Sequence, residues 1–164
     1  MLFFGFSALS MQNQPDLNSK VRALYIYNFT NMVEWPKELR SGNFNIGVLG
    51  ESNLYNELNT KYAGKSVGSQ SIKISQFKSS GDVSVCHILF ITKEFNNKIG
   101  ELVKKFKPKS TLIVTEKEGA LKEGSVINFI IRNNRQSYEL SKTNATKHKL
   151  TIGKQLTELA VKVE

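Results

Sequence analysis

The 164-residue sequence contains one cysteine, Cys86, and two histidines, His87 and His148. A single cysteine excludes an intramolecular disulfide and a cysteine-based zinc site. The two histidines are far apart and lack a flanking carboxylate pair, so they do not form a metal motif. Cys86 lies in the apolar run VCHILFI, which favours a buried thiol over a nucleophile. We therefore expect neither a metal nor another cofactor.

Acidic residues are scarce beside the basic ones: 14 Asp plus Glu against 23 Lys plus Arg give a formal net charge of +9. Such an excess raises the expectation of an anionic partner, such as nucleic acid, lipid headgroups or a cell-wall polymer. However, the local lysine concentration at residues 98–109 falls on the polar side of a predicted helix and its following loop, which is typical of a solvated face. The neighbouring Phe95 and Phe106 fall on the apolar stripe, whereas single-stranded nucleic-acid binders interleave exposed aromatics with charge. A nucleic-acid-binding domain is the less favoured alternative.

Long apolar runs are also missing, apart from one at the amino terminus. Residues 1–10 end in Ala8 and Ser10, which occupy the −3 and −1 positions of a signal-peptidase site before Met11. We expect this segment to be a signal-peptide remnant and the protein to be exported. Because no Lys or Arg precedes the run, two alternatives stay open: a start that lies inside a longer signal, and a buried amino-terminal segment. No other stretch approaches the 18 apolar residues of a spanning helix, so we expect no membrane span.

Alternating strand and helix patterns predict a single-domain three-layer α/β/α sandwich over residues 18–164. The sheet is expected to be mostly parallel, with about six strands and a carboxy-terminal hairpin. The first helix is predicted to have Asn18 or Ser19 as its cap and one face formed by Val21, Leu24, Tyr25, Asn28, Phe29, Met32 and Val33. The predicted strands are residues 44–50, 71–77, 85–91, 111–115, 126–131 and 136–140. The other predicted helices are residues 52–59, 95–106, a segment from about 143, and 153–163. In the last of these, the side chains predicted to face inward are Leu156, Leu159, Ala160 and Val163.

The segment GKSVG, residues 64–68, matches the G-x-S-x-G pattern of serine hydrolases and the end of a phosphate loop. A nucleophile elbow needs a strand before the serine and a helix after it, whereas here a helix precedes Ser66 and a strand follows it. A phosphate loop needs glycine five positions before Gly64, where Asn59 stands. The sequence therefore favours a glycine-rich turn, and we expect no enzymatic activity.

Two sets of residues are candidates for binding. For a protein interface, Tyr25, Trp35, Leu156 and Leu159 could supply apolar anchors, although core packing explains the same residues equally well. Asn28 interrupts the first helix face, and Glu34 stands unfavourably at that helix's carboxyl end, which suggests a partner cation or a buried hydrogen bond. For a small-ligand receptor, the ends of the predicted strands would form a crevice lined by Gly50, Glu51, Ser52 and Thr92.

The segment YNFTNMVEWP, residues 27–36, resembles the YfiR family of bacterial periplasmic regulators, whose first helix typically reads YNFAKFVEWP. The similarity continues in the family's order through IGVLG (46–50), GKSV (64–67), CHILFI (86–91), TLIVTEKEGALKEGSVINFII (111–131) and a final L-x-x-L-A. It covers nearly everything from Val21 onward. The first and third blocks are the more specific ones.

This resemblance implies a non-enzymatic periplasmic α/β domain that can form homodimers. It also implies a partner, the periplasmic domain of a membrane-bound sensor such as a diguanylate cyclase, whose restraint limits cyclic-di-GMP and biofilm formation. The sequence departs from the family where members pair the cysteine of the CHILFI block, because Cys86 stands alone. Further departures are Ser125-Val126 for Gly-Met, Leu140-Ser141 for Ile-Asn and Gly153-Lys154 for Ser-Ser.

Overall fold

A computed structural model describes residues 16–164, so the predicted signal-peptide remnant at residues 1–10 lies outside the described residues. The helices are α1 (Leu17–Met32), α2 (Asn53–Tyr62), α3 (Ile99–Phe106), α4 (Lys142–Lys147) and α5 (Lys154–Leu159). The strands are β1 (Val33–Glu34), β2 (Phe44–Leu49), β3 (Ser66–Val67), β4 (Gln70–Phe77), β5 (Ile88–Ile91), β6 (Leu112–Thr115), β7 (Ile127–Arg132), β8 (Arg135–Leu140), β9 (Thr151–Ile152) and β10 (Lys162–Val163). Short 3₁₀ turns include Lys93–Lys98, Lys107–Lys109 and Ala120–Glu123.

Eight strands form one sheet in the order β10-β8-β7-β6-β5-β2-β4-β3. Strands β4, β2, β5, β6 and β7 pair with one another in parallel, and β8 returns antiparallel to β7. Asn133 and Asn134 form the turn of that predicted hairpin with positive φ angles of 50° and 60°. The predicted α/β/α class is confirmed, and two-residue edge strands raise the strand number from about six to eight. A separate small sheet pairs β1 with β9.

Both faces of the central strands are covered, which explains their continuous apolar sequences. In β5, Ile88 and Phe90 join the core beneath α1 and α2, whereas Leu89 and Ile91 join the core beneath α3. The same alternation continues in β6. The third strand, predicted at residues 85–91, is shorter in the structure. Strand β5 begins at Ile88, and residues 85–87 precede it.

The inward face of α1 differs from the prediction. Asp16, rather than Asn18 or Ser19, caps the helix by accepting from the Asn18 N–H. The residues buried on α1 are Ser19, Ala23, Ile26, Phe29 and Thr30. Leu24, predicted on the apolar face, is 49% exposed. The helix carries large apolar side chains on both sides, so periodicity alone could not identify the buried one.

The last predicted helix is also shorter than expected. It ends at Leu159, and the chain then runs extended into β10 beside β8. Leu156 is buried as predicted, but Leu159 and Val163, predicted to face inward, are exposed. After Leu159 the backbone pairs with the sheet edge instead of continuing the helix, and the Val161 N–H donates to the Tyr138 carbonyl.

The GKSVG segment forms a tight hairpin, as predicted. Strand β3 pairs antiparallel with the start of β4, and Gly64 and Gly68 have φ angles of +81° and +57°. The connection between β6 and β7 is a parallel crossover that contains one 3₁₀ turn instead of a full helix. No helix within residues 16–164 combines the length and apolar character needed to cross a bilayer.

Candidate functional site

Strand β2 lies between β4 and β5 in the sheet. After β2 the chain forms β4 on one side of it and then crosses to form β5 on the other side. At such a reversal of strand order, the connections after the two strands diverge and leave a crevice at their carboxyl ends. The residues that follow β2 and β5 are Gly50, Glu51, Ser52 and Thr92, the four predicted for a small-ligand site. The structure places these residues together at that reversal.

Gly50 and Thr92 are in direct contact at the bottom of this edge. Gly50 has a φ of +102°, and a Cβ atom there would lie 2.1 Å from Thr92 Oγ1. Only glycine therefore fits both the backbone conformation and the space. The Thr92 side chain is buried, yet its hydroxyl has no hydrogen-bond partner within residues 16–164. A buried hydroxyl without a partner is unfavourable and marks a position where a ligand group or water would be stabilising.

A polar cavity of about 450 Å³ lies beside this contact, at the amino ends of α1 and α2. Glu51 and Ser52 line it as predicted, together with Asp16, Arg22 and Gln76. Ser52 also caps α2 by accepting from the Leu54 N–H at 3.1 Å. The Gln76 amide donates to the Gly50 carbonyl at 3.0 Å, which joins the cavity wall to the Gly50–Thr92 contact.

An ion pair between Arg22 and Glu116 fixes α1 over this edge of the sheet. Arg22 Nε also donates to Gln136 Oε1 at 2.6 Å, and Glu116 Oε1 accepts the Lys93 backbone N–H at 3.1 Å. Both charged side chains are largely buried, so removing one would leave the other uncompensated. The pair therefore locks α1, the turn after β5 and strand β8 together.

The cavity offers hydrogen-bond donors, hydrogen-bond acceptors and charges of both signs to a small polar molecule. The Asp16 and Glu51 carboxylates offset the Arg22 charge there. Within residues 16–164, no three His, Cys, Asp or Glu side chains are grouped closely enough to hold a metal ion.

Trp35 is buried at the opposite, amino-terminal end of the strands. Its indole packs edge-to-face on Phe44 at 5.0 Å between ring centroids, and its N–H donates to the His87 carbonyl at 3.3 Å. The His87 ring stacks on Phe44, accepts the Asn45 N–H at Nδ1 (3.0 Å) and donates from Nε2 to the Leu39 carbonyl (2.7 Å). This arrangement gives His87 a structural role and favours core packing over partner contact for Trp35.

Glu34 lines the same surface cavity as Trp35, Phe44 and His87, whereas Asn28 is not among the residues that line that cavity. The Glu34 carboxylate is exposed and lies 4.0 Å from the Arg40 guanidinium, which supplies the cation expected near it. Such an exposed pair contributes little stability. Asn28 is half-buried on α1, on the same side of the helix as Leu17 and Leu24.

Exposed apolar side chains concentrate around α1 and α5. Five of the six large ones found among the described residues belong to α1, α5 and strands of the neighbouring sheet end: Leu17, Leu24, Ile131, Leu159 and Val163. We call these five residues the α1/α5 surface. Tyr25 is half-buried beneath it, with its ring 5.3 Å from that of Tyr138. Of the predicted anchors, Leu159 is exposed here, whereas Leu156 is buried and bonds through its carbonyl to the Tyr138 hydroxyl.

The groups that could act as nucleophiles or bases are held in structural roles. Burial raises the pKa of the Cys86 thiol to about 12, so a thiolate does not form near neutral pH. Burial lowers the pKa of His87 and of His148, and both rings bond to backbone groups. Ser66 is exposed in the β3 hairpin, where it is paired with Ser71.

Several residues of the crevice were missed at the sequence level. Gln76 and Glu116 stand at or just after the ends of β4 and β6, so a strand-end rule applied to every strand would have found them. Arg22 and Asp16 come from the first helix, and no local pattern connects them to the strand ends.

A family model described as YfiR/HmsC-like matches residues 19–161. None of the curated proteins matches the sequence. The crystal structure of a conserved domain protein from Vibrio cholerae O1 biovar El Tor is similar, with a TM-score of 0.58 and 13% sequence identity. The similarity covers 87% of this chain and 60% of that protein's chain, and at this identity it shows the fold alone.

Proposed function

The chain belongs to the YfiR/HmsC-like family, and from this membership we propose that it is a periplasmic regulatory protein that restrains a membrane-bound diguanylate cyclase. It would bind the periplasmic domain of that enzyme and thereby limit cyclic-di-GMP and biofilm formation. The match over residues 19–161 is the observation that carries the proposal, because this family is compatible with a regulatory role in cyclic-di-GMP signalling.

The site chemistry supports binding rather than catalysis. Both histidines are buried and bonded to the backbone, and the pKa of the one thiol is raised to about 12. The hairpin that holds Ser66 does not provide the strand-turn-helix elbow that a serine nucleophile needs.

We assign partner contact to the α1/α5 surface. Leu24 and Leu159 are each about half exposed, at 49% and 50%, on two neighbouring helices. Large apolar side chains that are exposed on two packed helices favour a protein interaction site. Their helices pack on a rigid aromatic group of Tyr25, Phe29, Phe129 and Tyr138, which positions them without a flexible loop.

Titration of the purified chain with the periplasmic domain of each diguanylate cyclase encoded in the same genome tests this assignment. The double variant Leu24→Asp/Leu159→Asp should weaken the binding at least about tenfold, because it places two charges in an apolar contact. The matched control Thr60→Asp, on an exposed position of α2, should bind as the wild type does. Unchanged binding by the folded double variant would remove the α1/α5 surface from the proposal.

A small-ligand receptor is the second candidate function, and the buried, unpartnered Thr92 hydroxyl beside the polar cavity favours it. Thermal-shift measurements with nucleotides and amino acids test this candidate. A ligand of the crevice should raise the melting temperature of the wild type but not that of Thr92→Val. No stabilisation by any compound would contradict a receptor role.

A further inference from the structure

Lysines that are distant in sequence meet on one face of the molecule around α4. Lys107, Lys122 and Lys147 line a cavity of about 220 Å³ whose floor includes His148. Lys109 and Lys149 line an adjoining groove, and Lys149 and Lys142 line a third depression on the other side of α4. We call these six lysines the basic face. All six are exposed, and none forms an ion pair with a described residue.

Buried polar side chains hold this face in place. The Asn144 amide of α4 donates to the Leu121 and Ser125 carbonyls at 2.7 and 2.8 Å, which fixes α4 against the turn that carries Lys122. His148 Nδ1 lies 2.8 Å from the Thr111 carbonyl, at the start of β6. Because His148 points inward, its neighbours Lys147 and Lys149 point outward. These bonds therefore fix the backbone segments that carry the lysines relative to one another.

Apolar groups are exposed within the same face. The groove between Lys109 and Lys149, about 290 Å³ in volume, is also lined by Val85 and Pro108. Val85 is 47% exposed and is the one large apolar side chain among the described residues that is exposed outside the α1/α5 surface. Glu38 and Glu123 are the acidic residues lining these cavities, and Glu123 is paired with Lys117.

From this combination we infer that the basic face is a docking surface for a bilayer of anionic phospholipid, with the lysines against the phosphates and Val85 and Pro108 at the headgroup boundary. Positive charge beside exposed apolar side chains is the arrangement that peripheral membrane surfaces use. Single-stranded nucleic acid fits less well, because it requires exposed aromatic rings, and Phe106, the aromatic residue nearest these lysines in sequence, is buried. The inference does not depend on a cyclase partner.

Co-sedimentation of the full chain with vesicles tests the inference. Vesicles that contain phosphatidylglycerol should bind the protein, whereas pure phosphatidylcholine vesicles should not, and about 0.5 M salt should abolish the binding by screening. The triple variant Lys107→Gln/Lys122→Gln/Lys147→Gln should reduce the partition coefficient at least about tenfold. The control Lys73→Gln/Lys78→Gln/Lys93→Gln removes the same charge from exposed positions elsewhere and should change binding less than about twofold.

Equal loss of binding in both triple variants would show that net charge alone is responsible and would overturn the docking face. The inference also fails if vesicles are not bound, or if a labelled oligonucleotide is bound through these lysines while vesicles are not. Because the vesicles contain no protein partner, these outcomes are independent of the cyclase titration above.

Discussion

Two threonines near the carboxyl ends of neighbouring strands differ in how their hydroxyl groups are bonded. Thr115 Oγ1 donates to Asn128 Oδ1 at 2.8 Å and lies 2.9 Å from Ser125 Oγ, whereas Thr92 Oγ1 has no partner among the described residues. This contrast separates a hydroxyl whose hydrogen bonds stabilise the fold from a buried hydroxyl that makes none to the described residues.

Thr115→Val should lower the free energy of unfolding by about 1–3 kcal/mol, because it leaves buried polar atoms unpaired. Thr92→Val should leave stability unchanged or raise it by up to about 1 kcal/mol, since it removes a hydroxyl that has no partner. Urea denaturation of the two variants gives the comparison. A similar loss in both would mean that the Thr92 hydroxyl is bonded in the folded protein.

The two buried histidines predict a dependence of stability on pH. Burial lowers the pKa of His87 and of His148 below their ordinary 6.5, so the unfolded chain takes up protons more readily than the folded one. This contribution to stability is complete above pH 6.5 and is lost as the pH falls below it toward the folded-state pKa values. Each histidine can contribute a slope of up to about 1.4 kcal/mol per pH unit.

Urea denaturation between pH 7.5 and 5 should therefore show a falling free energy of unfolding. His87→Gln and His148→Gln should each be less stable at pH 7.5 but show a flatter slope below pH 6.5. A slope that is the same in wild type and both variants would contradict this assignment.

At the scale of elements, the connection from β2 to α2 depends on one glycine. Gly50→Ala should lower the free energy of unfolding by about 2–5 kcal/mol, because it adds left-handed strain and a contact with Thr92 Oγ1. Gly42→Ala, also at positive φ but with no atom within 4 Å of its Cβ position, should lower it by about 1–2 kcal/mol. Thr92→Ala should restore part of the loss in Gly50→Ala. Equal effects of the two glycine substitutions would contradict the close packing.

The two sides of α1 should respond differently to truncation. Ile26→Ala removes a fully buried side chain and should cost about 2–5 kcal/mol, whereas Leu24→Ala, at a half-exposed position, should cost less than about 0.5 kcal/mol. Thermal unfolding of the pair provides the measurement. A larger loss of stability in Leu24→Ala than in Ile26→Ala would mean that Leu24 faces the core, as the sequence periodicity predicts.

The central strands could be predicted because each is a continuous apolar run covered on both faces. The orientation of α1 could not, since Leu17 and Leu24 make its outward side as apolar as its inward one. Strands β1, β9 and β10 have two residues each, and such short strands form only where tertiary contact aligns the backbone.

Some residues of the candidate site could likewise be predicted from the sequence, and others could not. Gly50, Glu51, Ser52 and Thr92 could be found because parallel strands end at a common edge. The Arg22–Glu116 pair joins residues separated by 94 positions, and the basic face gathers lysines from three segments, so both depend on the tertiary fold.

At the scale of the whole molecule, two surfaces with different chemistry have different assignments. The α1/α5 surface is apolar and is proposed to contact a protein partner, whereas the basic face is proposed to contact lipid. A chain that binds both could restrain a membrane enzyme while lying against the bilayer in which that enzyme is anchored.

Quantifying intracellular cyclic-di-GMP by mass spectrometry tests the regulatory role most directly. Deleting the gene from its own bacterium should raise the nucleotide several-fold, and the wild-type chain should restore the original level. Leu24→Asp/Leu159→Asp, if folded and present at the same level, should fail to do so. A deletion strain with an unchanged cyclic-di-GMP level would contradict restraint of a diguanylate cyclase by this protein.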